Sequence, residues 1–437
     1  MSTAELVALV ACDLGGIVRG RAVFASELQE HFGAGIGWVP ANLALTPLGP
    51  LAEPNPFGST GDLRLLPDAE THVRVGAEPG ELPLELVLCD IVHTDGAPWS
   101  CCPRDFLRRA LADLRERAGA VLAASFEHEF QLIRSERSPV PFSLAAMRAA
   151  EPFATAVMGA LMEAGVEPER FFAEFASHQF EIPVAPAGGV AAADRAVVLR
   201  EIVREIARRG DMRATFVPLL DPEEAGNGVH VHVSLAATDG RPLLYDPARP
   251  GCLSELGGSF AAGVLAHAGA LSAICAPSPV SGERLRPHHW SAGAACLGER
   301  NREALLRIPP LVAAGGGEPA GQMRLEYRGA DAAANPYLVL GAIVRAGLEG
   351  IEAGLAAPPL LERDPATLDP GEAERFGVGA LPSSLSEALE ALEADESVRD
   401  WLGPELLGAY VSLKRGELEA AGTMDLAESC ARYAEAY

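Results

Sequence analysis

Four short stretches place titratable side chains two residues apart. In "SFEHEFQLI", Glu127 and Glu129 alternate with Phe126, His128 and Phe130, and in "FFAEFASHQFEIPV" Gln179 and Glu181 share a parity, with Glu174 just before an Ala-Ser-His bend. "NGVHVHVSL" alternates His230, His232 and Ser234 with valines, and "QMRLEYRG" alternates Arg324, Glu326 and Arg328 with Met323, Leu325 and Tyr327. Successive side chains of a strand point to opposite faces, so each stretch gathers its polar residues on one side. Taken singly, each is an amphipathic strand with one wet face. Taken together, the wet faces carry Glu pairs, a His pair and an Arg-Glu-Arg row, where a solvated face would show Lys, Thr, Ser and mixed charge. Clustered Glu with one or two His and no Cys suits hard divalent cations, Mg²⁺ or Mn²⁺, rather than zinc. Carboxylates so crowded repel one another, and an ion between them is the simplest remedy.

Arginines supply the opposite charge. "GERNREALLRIPP" brings Arg300, Arg302 and Arg307, which with Arg284, Arg324 and Arg328 offer planar donors for carboxylate and phosphate oxygens. Metals and arginines beside carboxylates suggest phosphoryl transfer. The sequence has no GxxxxGK[ST] loop and no GxGxxG opening a helix, so phosphates would be held by ions and side chains.

The elements that must carry these residues fall in two parts. From residue 5 to about 92 the pattern is short and strand-like, in "LVALVACD", "GDLRLLPD" and "LELVLCDIV", with the Gly-rich turn "LGGIVRGRAV" between. The loop His93 to Arg104 leads into the helical "DFLRRALADLRERAG", which sets domains of 1–98 and 99–437 in an α+β chain. Further on, "DRAVVLREIVREIARRG" is an amphipathic helix opened by Asp194 as N-cap and closed by Gly210, and Ser384 with Glu387 reads as a capping box. The stretch "LERDPATLDPGEAERFGVG" reads as an irregular loop.

At 437 residues, 49% hydrophobic and 22% charged, the chain has globular composition. A net charge of -25 would repel nucleic acid and anionic membrane surfaces, so neither is expected as a partner. The cysteines at 12, 89, 101, 102, 252, 275, 296 and 430 form no CxxC pair, which fits a reducing cytoplasm. "MSTAELVALVACDLGG" lacks the basic start of a signal peptide, and no long apolar run occurs, so a cytoplasmic protein is expected.

In order along the chain, "DLGGIVRGR", "GDLRLLPD", "EHEF", a Glu with "HQFEI", "GNGVHVHVS", "ERL", "NREALLRIP" and "MRLEYRGADAAANPYL" resemble the glutamine synthetase family over nearly the whole length. The resemblance implies a β-grasp-like N-terminal domain, then a catalytic domain with a curved antiparallel sheet flanked by helices, open to ATP at one end and glutamate at the other. It implies a homo-oligomer, a hexameric ring or a dodecamer, with sites built between neighbours. It implies two or three Mg²⁺ or Mn²⁺ per site, one held by Glu127, His230 and Glu326 and another by Glu129, Glu174 and Glu181. Arg284 and Arg328 would grip glutamate, beside the close-approaching turn Gly226, Asn227 and Gly228. Arg302 and Arg307 would meet the phosphoryl oxygens, and His232, Ser234, Arg307 and Arg324 the nucleotide. The implied chemistry phosphorylates the side-chain carboxylate of glutamate from ATP, and an amine then displaces the phosphate.

The amine is where the chain departs from the ammonia-using pattern. Counting on from Arg284 and Leu285, the place of a mobile glutamate that helps deprotonate ammonium falls at Trp290, within "HHW". The family's "NSYKRL" reads "VSGERL" here, with Val280 for Asn and Gly282 for Tyr, and the lysine common after "FMP" is Leu219. An amine larger than ammonia, stacked on Trp290 or His289, accounts for these changes. That resembles the family branch making γ-glutamyl amides of alkylamines, ethanolamine, polyamines or arylamines. A polyamine ranks lower, because the loop offers only Glu283 and Glu299 for its distal charges. An alkylamine would need His288, His289 or Asp62 as base, since it is protonated at neutral pH. The nearest rival is an ammonia-dependent glutamine synthetase. Rivals of other kinds are a non-catalytic nitrogen sensor or scaffold, which complete metal and arginine sets oppose, and a guanidino kinase, which would not need the "RGR" module.

Overall fold

The computed structural model describes residues 5–76, 82–289 and 291–437. Trp290 lies outside the described residues. The first sheet comprises β1 (Leu6–Cys12), β2 (Val18–Phe24), β3 (Ile36–Trp38), β4 (Leu63–Pro67), β5 (Val73–Val75) and β6 (Leu84–His93). Its order is β2-β1-β6-β4-β3, with β5 also on β6 and only β1·β6 parallel among its pairs. The three strands read from "LVALVACD", "GDLRLLPD" and "LELVLCDIV" are β1, β4 and β6; the short helix Leu28–Ala34 between them was not legible as one.

The second sheet has nine strands: β7 (Ala120–Ile133), β8 (Phe172–Ala173), β9 (Gln179–Pro183), β10 (Ala187–Gly188), β11 (Arg213–Thr215), β12 (Val229–Ala237), β13 (Ala294–Glu299), β14 (Ala304–Ile308) and β15 (Leu325–Ala330). The path runs β13-β14-β15-β12-β7-β9-β8, with β10 and β11 on β7. An antiparallel sheet was expected, but β13·β14 is parallel, so the sheet is mixed. Both sheets and the helices share one large apolar core. The helix Pro336–Glu352 lies at its centre, buried on nearly every face and packed on the helices Pro103–Ala118 and Glu255–Ala266.

Local chemistry explains where the helices begin and end. Pro103 occupies the first turn of its helix, where no N–H is needed, and Gly119 closes it at a φ of 62°, which glycine adopts without strain. The helix expected from Asp194 starts earlier, at Ala191 with Val190 as N-cap. Asp194 is instead buried within it. Its carboxylate accepts both Nε and Nη2 of Arg104, each at 2.9 Å, and the Tyr337 hydroxyl at 2.6 Å. Arg104 also reaches Asp68 (2.7 Å) and Asp90 (3.3 Å) of the first sheet's β4–β6 region, so one guanidinium ties that sheet to two core helices. Arg104→Ala takes the counter-charge from the buried Asp194 carboxylate and is expected to lower unfolding stability by about 3–5 kcal/mol, read as a shift in the urea midpoint.

Gly210 closes the helix Ala191–Arg209 as expected. Ser384 does accept the Glu387 N–H (3.2 Å), but the Glu387 carboxylate turns to the Ser383 N–H (2.8 Å), so the box is only half closed. The stretch read as irregular holds the helix Pro370–Arg375, opened by a full capping box of Asp369 and Glu372.

The C-terminal tyrosines are all interior. Tyr410 donates to Ala273 O (2.6 Å), Tyr437 to Gly15 O (2.7 Å), and Tyr433 is fully buried. Lys414 is the only lysine in the sequence, and it is fully buried against Glu417, with Nζ to Oε1 at 2.7 Å. The eight cysteines are free thiols. Among the described residues no single helix is long and apolar enough to cross a membrane; the bent pair Glu255–Ala266 and Ala268–Cys275 passes by composition only.

Candidate active site

Strand register brings the polar faces together. Across β7·β12, Glu127 pairs with His230 and Ser125 with His232; across β7·β9, Glu129 pairs with Glu181. Across β12·β15, His232 pairs with Glu326, and across β14·β15 Glu326 pairs with Arg307. Because a strand alternates its side chains with period two, these pairings place all of these groups on one face. The opposite face of β7 carries Phe126, His128 and Phe130 into the core, where burial holds the His128 imidazole neutral, its pKa well below the usual range.

A cavity of about 720 Å³ opens on the polar face, lined by Glu127, Glu174, Glu181, His230, His232, Arg302, Arg307, Arg324 and Glu326. Nine residues singled out from sequence therefore share one chamber. His230 Nδ1 lies 3.3 Å from Glu127 Oε2 and His232 Nε2 lies 3.1 Å from Glu127 Oε1. Burial alone would raise the Glu127 carboxyl pKa, but hydrogen bonds and charge from the two imidazoles hold it well below the usual range. Glu326 is tied to Arg307 Nη1 at 2.7 Å and to Arg328 Nη1. Burial opposes its ionisation too, yet the charges of Arg328, His230, His232 and Arg307 draw its carboxyl down to about 2.

The other carboxylates lack such compensation. Burial and the charge of Glu129 push Glu174 up to about 7. Burial and the charges of Glu127, Glu129 and Glu174 push Glu181 well above the carboxylate range. Such crowding is what a divalent cation relieves.

The donor set fits a hard cation, but the grouping differs from the one implied by resemblance. Ligand atoms within 4.8 Å of one another come from Glu127, His232 and Glu326, and from Glu127, Glu181 and His230. His232 thus stands with the metal donors as well as beside Arg324, whose Nε lies 3.2 Å from its Nδ1. Its Nε2 lies 3.1 Å from Glu127 Oε1, inside that cation group. Glu129 and Glu174 belong to neither group. Glu129 turns to the Gly228 N–H at 2.6 Å, and Glu174 follows the short strand β8, which pairs with β9.

The expected glutamate-binding groups adjoin the chamber rather than line it. Arg284 is buried, donating to Gly329 O (3.1 Å) and Ala330 O (2.9 Å), with Nε facing Asp331 Oδ2 at 3.9 Å. A Cβ built on Gly228 would meet Arg284 Nη1 at 3.1 Å, His230 Nε2 at 3.4 Å and Glu129 Oε2 at 3.5 Å, so this glycine sits at the meeting point of all three. The Asn227 side chain points into the protein, donating to Val217 O and Gln131 Oε1 and accepting from Gln179 Nε2, which leaves the backbone of the turn to approach a ligand. A Cβ on Gly226 would lie 2.2 Å from Pro218 O and 2.7 Å from Arg284 Cγ. Gly226→Ala must displace backbone, and is expected to cost roughly 1–3 kcal/mol in stability and most of the activity, checked by thermal melting and turnover of the purified variant. Arg328 is buried and donates to Arg302 O (2.9 Å), which locks the loop before β14.

Three more expected residues lie apart. Ser234 lines a neighbouring cavity of about 610 Å³ with Val121, Ala123, Gly188 and Arg115; since Ser234 pairs with Ala123, this is the same sheet face continued past His232. Asp62 is exposed just before β4 and does not line the chamber of its own chain. His289 is half-buried in a turn outside the chamber. His288 is exposed and held by Asp364, with Nε2 to Oδ2 at 2.9 Å. Sequence reading missed Arg170, Phe172 and Phe142, which line the chamber from segments without a periodic signal.

The chain matches known proteins along nearly all of its length. Residues 100–427 match the family described as "Glutamine synthetase, catalytic domain", and residues 1–99 match "Glutamine synthetase N-terminal domain". The chain belongs to the glutamine synthetase family. As a member it is an ATP-dependent carbon-nitrogen ligase acting on glutamate. The gamma-glutamylpolyamine synthetase GlnA3 of Streptomyces coelicolor is 35% identical over 430 residues, covering 96% of this chain and 91% of that protein. The glutamine synthetase of Mycobacterium tuberculosis is 31% identical over 422 residues, covering 93% and 90%. A crystal structure described as a novel glutamine synthase homolog superposes with a TM-score of 0.92 at 45% identity, covering 100% of this chain and 99% of that one. Ligand-free GmaS gives 0.82 at 27% identity, covering 97% and 94%.

Proposed function

We propose that this member joins the γ-carboxylate of glutamate to an amine larger than ammonia, an alkylamine, ethanolamine or an arylamine. In the first step a γ-carboxylate oxygen bonds to the terminal phosphorus of ATP while the bond to ADP breaks. In the second, the amine nitrogen bonds to the γ-carbon, the C–O bond to phosphate breaks with its electron pair, and the surplus proton on nitrogen passes to a base. Arg302, Arg307 and Arg324 are placed to receive phosphoryl oxygens, and Arg284 with Gly228 to receive the amino acid. Glu127, Glu181, Glu326, His230 and His232 would hold the divalent ions, which when bound offset phosphate charge and polarise the transferring group. Ser234 and the cavity beside it suit the nucleoside.

The observation that carries the larger amine is the fate of the positions where polar groups accompany ammonia use. Val280 and Leu219 are buried together in an apolar cluster with Val217 and Tyr433. At Gly282 a Cβ would lie 2.4 Å from Ser383 O, so the backbone occupies the space a tyrosine would need. These groups are built out of the fold, with no polar substitute in their places. The similar GlnA3, named a gamma-glutamylpolyamine synthetase, supports an acceptor larger than ammonia.

The charge argument against a polyamine is weaker than the sequence alone implies. Glu283 and Glu299 are each engaged by an arginine, but Glu303 and Asp364 come to the same loop from elsewhere, at 3.2 Å from His288 N and 2.9 Å from its Nε2. The reading also has Asp62 serve the site of a neighbouring copy in a homo-oligomeric ring, which suits its exposure away from its own chamber.

Phosphate release from ATP with glutamate and Mg²⁺ tests this, comparing ammonia with ethylamine, ethanolamine, putrescine and aniline, with the products identified by mass. One amine is expected to exceed ammonia by about tenfold or more in kcat/KM, and Trp290→Glu to shift selectivity toward ammonia. Turnover of ammonia alone would return the chain to the ammonia-dependent glutamine synthetases.

A further inference from the structure

Two ends of the chamber's polar face are already assigned. Along β12 the polar face runs from Gly228 beside Arg284, past His230 and His232, to Ser234 and its separate cavity. The first end suits the amino acid and the far end the nucleoside. A further side of the chamber is lateral, at the β8–β9 edge, where Glu174, Glu181, Phe142 and Phe172 line it. Arg307 lies on β14 and Arg324 just before β15, across the sheet, whereas Arg170 lines this edge with its guanidinium paired to Glu169 at 3.4 Å. A protonated amine is drawn to a carboxylate, and Glu174, which stands in neither cation group, offers one at this edge.

The same edge is apolar at its rim. Phe142 is 53% exposed and Phe175, which follows Glu174, is 45% exposed; their ring centroids are 6.5 Å apart. Phe142 also holds a φ of 58°, in the left-handed region that a bulky non-glycine residue adopts only at a cost. The conformation turns an aromatic ring to the mouth of the chamber beside the carboxylates.

We propose that Phe142 and Phe175 form the acceptor wall, holding the hydrocarbon body of the amine while its nitrogen enters past Glu174. The proposal rests on the larger-amine reading and adds which residues set amine selectivity. Aromatic rings covering an alkyl chain or aryl ring give discrimination against ammonia, which has no apolar surface to bury.

The test uses Phe142→Gly, which removes the ring and suits the positive φ, and Phe142→Leu, which keeps an apolar side chain. Initial rates with n-butylamine and with ammonia are measured at saturating glutamate and ATP, and the KM for ATP is measured separately. Phe142→Gly is expected to lower the butylamine-to-ammonia ratio of kcat/KM roughly tenfold, chiefly through the KM for butylamine, with Phe142→Leu recovering most of it. An unchanged ratio in Phe142→Gly, or a raised KM for ATP in place of one for butylamine, overturns the wall. The wild-type enzyme separates the two ideas: if it uses no amine larger than ammonia, the functional reading itself fails, whereas a wild-type preference for butylamine with an unaltered variant removes the wall alone.

Discussion

Glu326→Ala lowers the glutamate-dependent release of phosphate from ATP by at least about a thousandfold, because one carboxylate serves three partners. Glu326 pairs across the sheet with both His232 and Arg307, and it is bound by Arg307 and Arg328 at once. Its removal takes a donor from one cation group and leaves two guanidinium groups facing each other where a shared counter-charge had been. Both losses fall on the phosphoryl end of the chamber. Glu326→Gln keeps the shape and loses the charge, so it should fold closer to wild type and remain nearly as inactive. Circular dichroism melts separate the two effects. Wild-type turnover in a folded Glu326→Gln enzyme would remove Glu326 from the chemistry.

Stripping divalent metal with a chelator is expected to abolish turnover, to lower the melting temperature, and to reverse on return of Mg²⁺ or Mn²⁺. The sign of the pH effect follows from the carboxylates. Glu174 is raised to about 7 and Glu181 is raised further in direction, both by burial and neighbouring negative charge. A carboxyl raised in the folded protein binds more protons there than in the unfolded chain between its ordinary pKa and its raised one. Stability from this source is fully present below the unfolded value and is lost as pH rises through the folded value. The metal-free enzyme should therefore melt at lower temperature as pH climbs from about 5 to 8, a slope that bound metal flattens. Metal binding near neutral pH should also release protons, measurable by calorimetry in buffers of different ionisation enthalpy. A metal-free enzyme with a flat pH profile and no proton release would mean the carboxylates are not crowded as described.

What could be read from the sequence divides along a physical line. Alternation within a strand is local, so the polar faces of β7, β12 and β15 were legible from Glu127, His230 and Glu326 without knowing what they pair with. Register is not local. Whether His230 or His232 comes nearest Glu326 depends on cross-strand pairing, and the grouping around His232 emerged only with β12·β15 in place. Asp194 shows the same limit at a helix. It is of a type that caps helices and precedes an amphipathic run, but Arg104 and Tyr337, its partners, are distant in sequence and outweigh the local preference. That Gln131 and Gln179 take up the Asn227 amide was likewise not legible, because both are distant in sequence. The parallel pair in the second sheet followed from a connection that composition does not reveal. Phe142 left no periodic trace at all, and its backbone conformation cannot be read from residue type.

The single lysine has a consequence for an enzyme of this chemistry. An acyl phosphate is attacked by any unprotonated primary amine that reaches it, and a surface rich in flexible ε-amines would supply rivals to the intended acceptor at the mouth of every site. This chain meets its cationic needs with arginine, whose guanidinium stays protonated and is a poor nucleophile, and seals Lys414 against Glu417 in the interior. The chain's one lysine does not stand ready to intercept the activated glutamate.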